Sequence, residues 1–398
     1  MGTEFDFYST GFQNDPAATY SAMRESCPYH HSEKWGWYSV FRFEDVDRII
    51  NDNVTYTARQ GPGVMNSEAS PIVLVSADPP EHTLQKRAVA RVFNLRAMTA
   101  FEQPLRGFVN GLLDRVADQR RCDVIEDIGV QVPLWVVSEL LGINFERHYR
   151  DLREWVVLMA ASVFAQDKPQ LLPAALAARQ KMMAFVGELV DGVLRRRDAG
   201  DASATDVISQ LAAVEIDGWR LTRSQLESFT QFLIVAGSAT TTLSIGNFFQ
   251  AMLDHPEQYA KLRNQPQLIE NAVDEVIRFY APVYGLFRTN NVPVQLGELT
   301  VPPASKICLM WGSANRDEAL FANANELDIT RDVEELRRKS LSFGGGIHRC
   351  MGAPLARLEV KVVAEEFLRR FPDFHEDGKR VAFPYATLHG PHHLFLAW

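Results

Sequence analysis

Residues 343–359, FGGGIHRCMGAPLARLE, decide how this chain is read. They put Cys350 at the end of a glycine-rich loop, in what the pattern predicts as the first turn of a helix. A thiolate is a good ligand for a soft transition metal. Backbone N–H groups at a helix N-terminus favour its negative charge, which lowers the thiol pKa and tempers the donor strength of the sulfur. Gly344, Gly345 and Gly346 allow the backbone to lie flat against a large ligand, where a side chain would collide. A cysteine considered alone is more often a buried structural thiol, so the surroundings have to decide.

Phe343, His348, Gly352 and the helix that follows fall at the spacing of the haem-binding loop of the cytochrome P450 family, which this segment resembles closely. The resemblance implies that Cys350 is the thiolate ligand of a haem b iron, with Phe343, His348 and Gly352 in the haem-binding loop. Thiolate ligation of haem favours O–O cleavage. It also implies a mainly α fold with a minor β portion, and matching motifs run from about residue 37 to 390 of this sequence.

Composition agrees with that expectation. The chain has 398 residues, 46% of them hydrophobic, enough for a large buried core. That length would suit two or three domains, yet no linker, repeat or low-complexity segment divides it. One domain over 1–398, without a separate reductase domain, is the expectation. A formal charge of −9 disfavours a general polyanion binder. Basic residues nevertheless cluster at Lys86, Arg87, Arg91 and Arg96, and again at Arg349, Arg357 and Lys361; these are either solvated helix faces or a docking patch for an acidic partner. Cys27, Cys122, Cys308 and Cys350 show no CxxC spacing, which disfavours a zinc site or a disulfide framework. The N-terminus has no positive n-region or apolar h-region, and no apolar run reads as a membrane span, so a soluble, cytoplasmic protein is expected.

Apolar periodicity and turn residues predict helices over 16–27, 43–51, 79–93, 97–115, 132–141 (ending at Gly142), 145–164, 173–197, 205–214, 256–262, 268–280 and 350–371. Thr222 and Gln225 form a capping box that opens a long helix to about residue 253. Residues 37–41 and parts of 292–310 read as strands, 56–76 as a long loop of the kind that often serves as a lid, and the tail as a hairpin and loop.

Glu275 and Arg278 lie three apart on one helix face, among apolar neighbours. An exposed pair of this kind contributes little, whereas a buried one needs further partners. Arg331 is the candidate third member. This resembles the family's Glu-x-x-Arg pair completed by an arginine, a structural element; Leu327 stands where phenylalanine is usual, and prolines are missing at 322 and 324. His82 and Lys86 are one helical turn apart and suit an anion of fixed geometry. The resemblance assigns His82, Lys86, Arg288 and His348 to the two haem propionates, with Lys86 replacing a more usual arginine and losing its bidentate fork.

Within AGSATTT, residues 236–242, Ala236 and Gly237 open space beside the long helix, and Thr240 can bond its own turn or a ligand; small residues there also suit helix packing. By resemblance Ala236 borders the haem and Thr240 is the catalytic threonine of the oxygen-activation motif. The acid usual before that threonine is Ala239 here, which leaves Thr240 and ordered water to relay protons, with Ser238, Thr241 or a polar group of the substrate assisting. Phe164, Leu233, Val283, Leu286, Phe287 and Leu388 are the expected substrate pocket, and their apolar character implies an apolar organic substrate.

The function implied is a haem-thiolate monooxygenase. It would put one atom of dioxygen into a small apolar substrate, terpenoid, aromatic or similar, using electrons from a separate ferredoxin and its reductase. A peroxide-driven haem-thiolate enzyme and a non-catalytic haem-based sensor are the alternatives; retention of Thr240 argues against both.

Overall fold

The computed structural model describes residues 5–64, 73–93, 101–164, 167–201, 203, 205–385 and 387–398. Arg96, the start of the helix expected from residue 97 and the middle of the expected lid loop lie outside them.

The fold is mainly α with small sheets. Its centre is the Arg223–Asp254 helix. Thr222 accepts from the Gln225 N–H while Gln225 reaches back to the Thr222 N–H, so the capping box forms as its sequence requires. Around this helix pack the Gln131–Leu141, Phe145–Phe164 and Leu172–Asp198 helices on one side and the Ile269–Phe279 and Ala353–Arg370 helices on the other. Gly142 ends the Gln131–Leu141 helix with φ +66°, a left-handed cap that glycine adopts without a Cβ clash. By length and composition the central helix could cross a membrane, contrary to the sequence expectation; here it is the core helix, jacketed by its neighbours.

The largest sheet has five strands in the order Tyr29–Ser32, Trp37–Val40, Lys306–Leu309, Leu286–Asn290, Tyr56–Thr57. Leu286–Asn290 was not expected as a strand: Gly285 and Pro282 before it masked the pattern. It matters because it carries Arg288. Gly285 is obligatory at its start, since a Cβ there would lie 2.3 Å from the Leu309 carbonyl oxygen. On one side of this sheet Phe5, Phe7, Phe12, Trp37, Phe41, Tyr284 and Phe287 form one cluster, with edge-to-face contacts of Phe5 on Phe41, Phe12 on Tyr284 and Trp37 on Phe287.

Most helix bounds fall within two residues of expectation. The last helix starts at Ala353, so Cys350 precedes it instead of occupying its first turn. A π-helical turn at Ile125–Gly129, unmarked in the sequence, packs on the central helix.

Glu275 and Arg278 are both fully buried. Arg278 makes two 2.7 Å bonds to the Glu275 carboxylate and donates to the carbonyls of Asn315 and Ala324 at 2.8 Å and Glu326 at 3.1 Å. Arg331 adds a third cationic contact at 3.1 Å, and the Asp328 N–H donates to Glu275 at 3.0 Å. Every polar atom of the pair is thus engaged, which offsets its desolvation. Leu327, buried beside them, fills the phenylalanine-type position.

Removing the carboxylate strands a buried guanidinium. Glu275→Ala is expected to lose about 3–5 kcal/mol of stability, and Arg331→Lys, at the partly exposed end, about 1 kcal/mol or less. Denaturant unfolding of both variants checks this; equal losses would mean the buried pair is not the anchor.

Candidate active site

The Cys350 loop hangs from that buried cluster. Asn315, whose carbonyl accepts from Arg278, uses its side chain to accept from the Leu341 N–H at 2.7 Å and to donate to the Ser342 hydroxyl at 2.7 Å. Ser342 in turn donates to the Ile277 carbonyl at 2.6 Å. Sequence reasoning missed Asn315 and Ser342, because nothing local marks a polar residue that will be buried against a distant loop.

From Ser342 the chain turns tightly. Gly344 and Gly346 have φ +68° and +56°, the left-handed region, and a Cβ on Gly346 would lie 2.9 Å from the Ile50 carbonyl oxygen. The Cys350 N–H closes the loop on the Phe343 carbonyl at 2.8 Å. Burial pushes the thiol up, while the N–H groups of Gly352 and Ala353 and the Arg357 guanidinium favour the thiolate. Arg357 lies over the Phe343 ring at 4.5 Å and pairs with Asp274. Although protein encloses Cys350 on nearly every side, the residue is exposed; it therefore faces a space inside the fold.

The central helix meets that reading. Ala236 is exposed although it lies midway along a 32-residue core helix. Thr240, one turn on and on the same face, is partly exposed and donates to the Ala236 carbonyl at 2.9 Å. Met351, beside Cys350, and Ala239, beside Thr240, are both half-buried and pack against the same large apolar cluster. Gly237 faces elsewhere: its added Cβ would meet Val137 at 2.9 Å, so it serves helix packing and not the open face. Ser238 is buried and bonded to the Ile234 carbonyl at 2.6 Å, off the Thr240 face, so its expected assistance to Thr240 does not fit the geometry.

His82, Lys86, Arg288 and His348 gather as expected. The His82 and His348 rings are 4.4 Å apart, and Lys86 donates to the Ile347 carbonyl. Arg288 is 5% exposed, and its hydrogen bond goes to the Phe287 carbonyl at 3.0 Å. Among the described residues no carboxylate forms an ion pair with any of the four. Burial, then mutual repulsion among Arg288, His82 and Lys86, pushes His348 down to about 3; burial takes Arg288 down to about 10. Four groups able to carry positive charge, crowded beside an internal thiol with no ion-paired carboxylate and only Asp78 at longer range to offset Arg288 and His82, fit a large ligand that brings two carboxylates and a thiophilic metal. The haem implied by the sequence has that chemistry.

The expected substrate residues divide. Val283 and Leu388 form a β-bridge, and Leu286 joins their cluster. Leu233, half-buried, packs on the cluster that also holds Met351 and Ala239. Phe287 does not belong with them: strand alternation puts it on the opposite side from Leu286 and Arg288, against Trp37 at 5.4 Å. Phe164 ends its helix, and its side chain lies outside the described residues.

Comparison with known proteins shows the family. Residues 143–384 match the cytochrome P450 family. Cytochrome P450 107B1 of Saccharopolyspora erythraea is 33% identical over 301 residues, 75% of this chain and 70% of that protein. Cyclomarin C epoxidase CymV of Salinispora arenicola is 31% identical over 385 residues, 94% of each chain. The solved structure of cytochrome P450 CYP109Q5 from Chondromyces apiculatus superposes with a TM-score of 0.87 at 30% identity, covering 100% of this chain and 98% of that one.

Arg288→Met removes a buried cation that awaits a carboxylate. Transfer of haem from the loaded variant to an excess of a haem-scavenging protein is expected to be at least about tenfold faster than from the unaltered chain, a loss of about 1.4 kcal/mol. Unchanged transfer would remove Arg288 from the carboxylate-holding set.

Proposed function

This chain belongs to the cytochrome P450 family and is a haem b monooxygenase, and on that premise we propose that it oxygenates a small, largely apolar organic substrate with electrons from a separate ferredoxin and its reductase. The observation that carries the site assignment is the set of four cation-capable side chains without carboxylate partners beside an internal thiol. Cys350 is the proposed metal ligand, and Phe343, Gly352 and Ala236 border the same space. His82, Lys86, Arg288 and His348 are the proposed propionate partners. When bound, haem supplies the redox chemistry that activates dioxygen.

The residues of this chain prepare that chemistry. Thr240 Oγ1 holds a proton on the open face of the central helix; its 2.9 Å bond to the Ala236 carbonyl is a resting partner it can exchange for a ligand or a water. Ala239 contributes no acid and packs into apolar surroundings. Thr240 and water therefore carry the proposed relay without an acidic neighbour. Val283, Leu286, Leu388 and Leu233 give the substrate space apolar walls, which exclude water and favour an apolar body over a charged one. CymV is, by its name, a cyclomarin C epoxidase, and oxygenation of an organic compound of that kind is the reading for this chain too.

The ferredoxin would meet the exposed cations Arg349 and Arg91, which have no ion-paired carboxylate among the described residues. The wider patch expected from sequence is partly neutralised: Arg87 pairs with Asp217, Arg357 with Asp274 and Lys361 with Glu270. The chain is proposed to act as one domain over 1–398 and in the cytoplasm.

The reduced, CO-bound protein is expected to show the Soret position of a thiolate-ligated haem, and Cys350→His to shift it to that of histidine ligation. An unshifted band in the variant would refute the ligand. Thr240→Ala is expected to cut product per dioxygen consumed several-fold, with peroxide rising in its place. Ala239→Asp is expected to change the solvent isotope effect on turnover; unchanged coupling and isotope effect would show that no acid is needed there. Faster turnover with hydrogen peroxide than with ferredoxin and reductase would overturn the proposed electron route.

A further inference from the structure

A cavity of about 400 Å³ opens between the start of the Pro16–Ser26 helix, the end of the central helix at Asp254 and the turn after Phe279. The residues proposed above to hold haem do not line it. Its wall includes Arg316, which is 5% exposed. Arg316 Nε and Nη2 both donate to the Phe279 carbonyl, at 3.2 and 2.8 Å, and the guanidinium carbon stands 3.6 Å over the Phe279 ring. Nη1 has no acceptor, and no carboxylate pairs with Arg316, among the described residues. The charged group nearest in effect is Arg278, whose own charge is already compensated by Glu275 and which adds repulsion.

Other groups of the same wall also lack partners. The hydroxyls of Tyr20 and Tyr284 and Nδ1 of His389 are buried without a hydrogen bond. His389 stacks on Tyr284 at 4.9 Å and is held neutral by burial and by Arg316. A buried guanidinium without a counter-charge costs several kcal/mol, and each unsatisfied polar atom adds to that. The rim does not supply the missing charge. Asp254 is engaged by Arg380 through two 3.0 Å bonds, and Asp15 caps its helix at the Ala17 N–H.

We propose that this cavity is a binding site for a small organic monocarboxylate, held by Nη1 of Arg316 with the tyrosine hydroxyls and His389 as its polar surround. A single negative charge matches the single uncompensated guanidinium, whereas a dianion would leave one charge buried and unpaired. The volume admits a short acid and excludes a macromolecular segment. The site does not depend on haem.

Two measurements on the haem-loaded protein test it. Crystals soaked in sodium bromide are expected to show an anomalous peak beside Arg316 Nη1, and crystals soaked in acetate a planar density at the same place. In solution, acetate is expected to raise the melting temperature in a saturable way. Ala17→Trp, which fills the mouth without touching Arg316, is expected to weaken the acetate response about tenfold or more while the spectrum of the reduced, CO-bound form stays unchanged, a difference of about 1.4 kcal/mol. Arg316→Gln should weaken it equally; if that variant does not fold, Ala17→Trp decides. Water alone in the cavity after both soaks, or the same acetate response in Ala17→Trp as in the unaltered protein, overturns the proposal.

Discussion

The buried Glu275–Arg278 pair is the constraint on which the rest of the structure hangs. A guanidinium and a carboxylate with no exposure are tolerated only because every guanidinium N–H and both carboxylate oxygens have partners. Those partners are backbone carbonyls of Asn315, Ala324 and Glu326, so the pair fixes the course of a loop far away in sequence. The side chain of Asn315 passes the constraint on to Leu341 and Ser342, and the Cys350 loop begins there. A charge pair on one helix thus sets where a thiol some 70 residues later in the chain stands. Unlike a hydrophobic contact, a directional network of this sort cannot slide.

Set against this compensated pair, the other buried cations are informative. Arg278 is saturated. Arg288, with His82, Lys86 and His348 around it, has no ion-paired carboxylate among the described residues, and neither has Arg316. The same physics reads both places: an uncompensated buried cation is a site prepared for an anion that the polypeptide does not supply. At the first, the thiol and the exposed Ala236–Thr240 face add the space and the chemistry for a metal cofactor. At the second, a partly open cavity without a thiol suits a simple anion, as proposed above. Lys306, pushed down to about 8 by burial and by Arg288 and bonded to the Gln60 carbonyl, extends the positive region towards the start of the lid loop.

Much of this was legible in the chain. The glycines at 344 and 346, the cysteine after them, the capping box at Thr222, the Glu-x-x-Arg spacing and the i, i+4 pairing of Ala236 with Thr240 are local signals, each governed by backbone geometry over a few residues. They named the family-level site and most helices. What the sequence reading placed wrongly shares one cause. Phe287 and Leu286 are neighbours with the same chemistry, and only the pleat of a strand that had not been recognised separates core from pocket. Gly237 and Ala236 are likewise adjacent small residues, and only the approach of Val137 shows which one packs and which one faces open space. Cys350 was assigned to a helix that begins three residues later, because its N–H goes to Phe343 and not to a helical partner.

The sequence by itself determined the chemistry: a thiol on a flexible glycine turn, cations at turn spacing, a threonine without an acidic neighbour, and a helix-rich core around an apolar axis. Those follow from residue identity and from contacts within one or two turns. Only the tertiary structure decided which charges are compensated. Arg278 and Arg316 are both buried arginines, and nothing in either local sequence says that one meets a carboxylate and the other lines a cavity. Burial and pairing are properties of elements brought together from distant parts of the chain, and in a low-dielectric interior the presence or absence of one such partner decides whether a charge holds the fold or waits for a ligand.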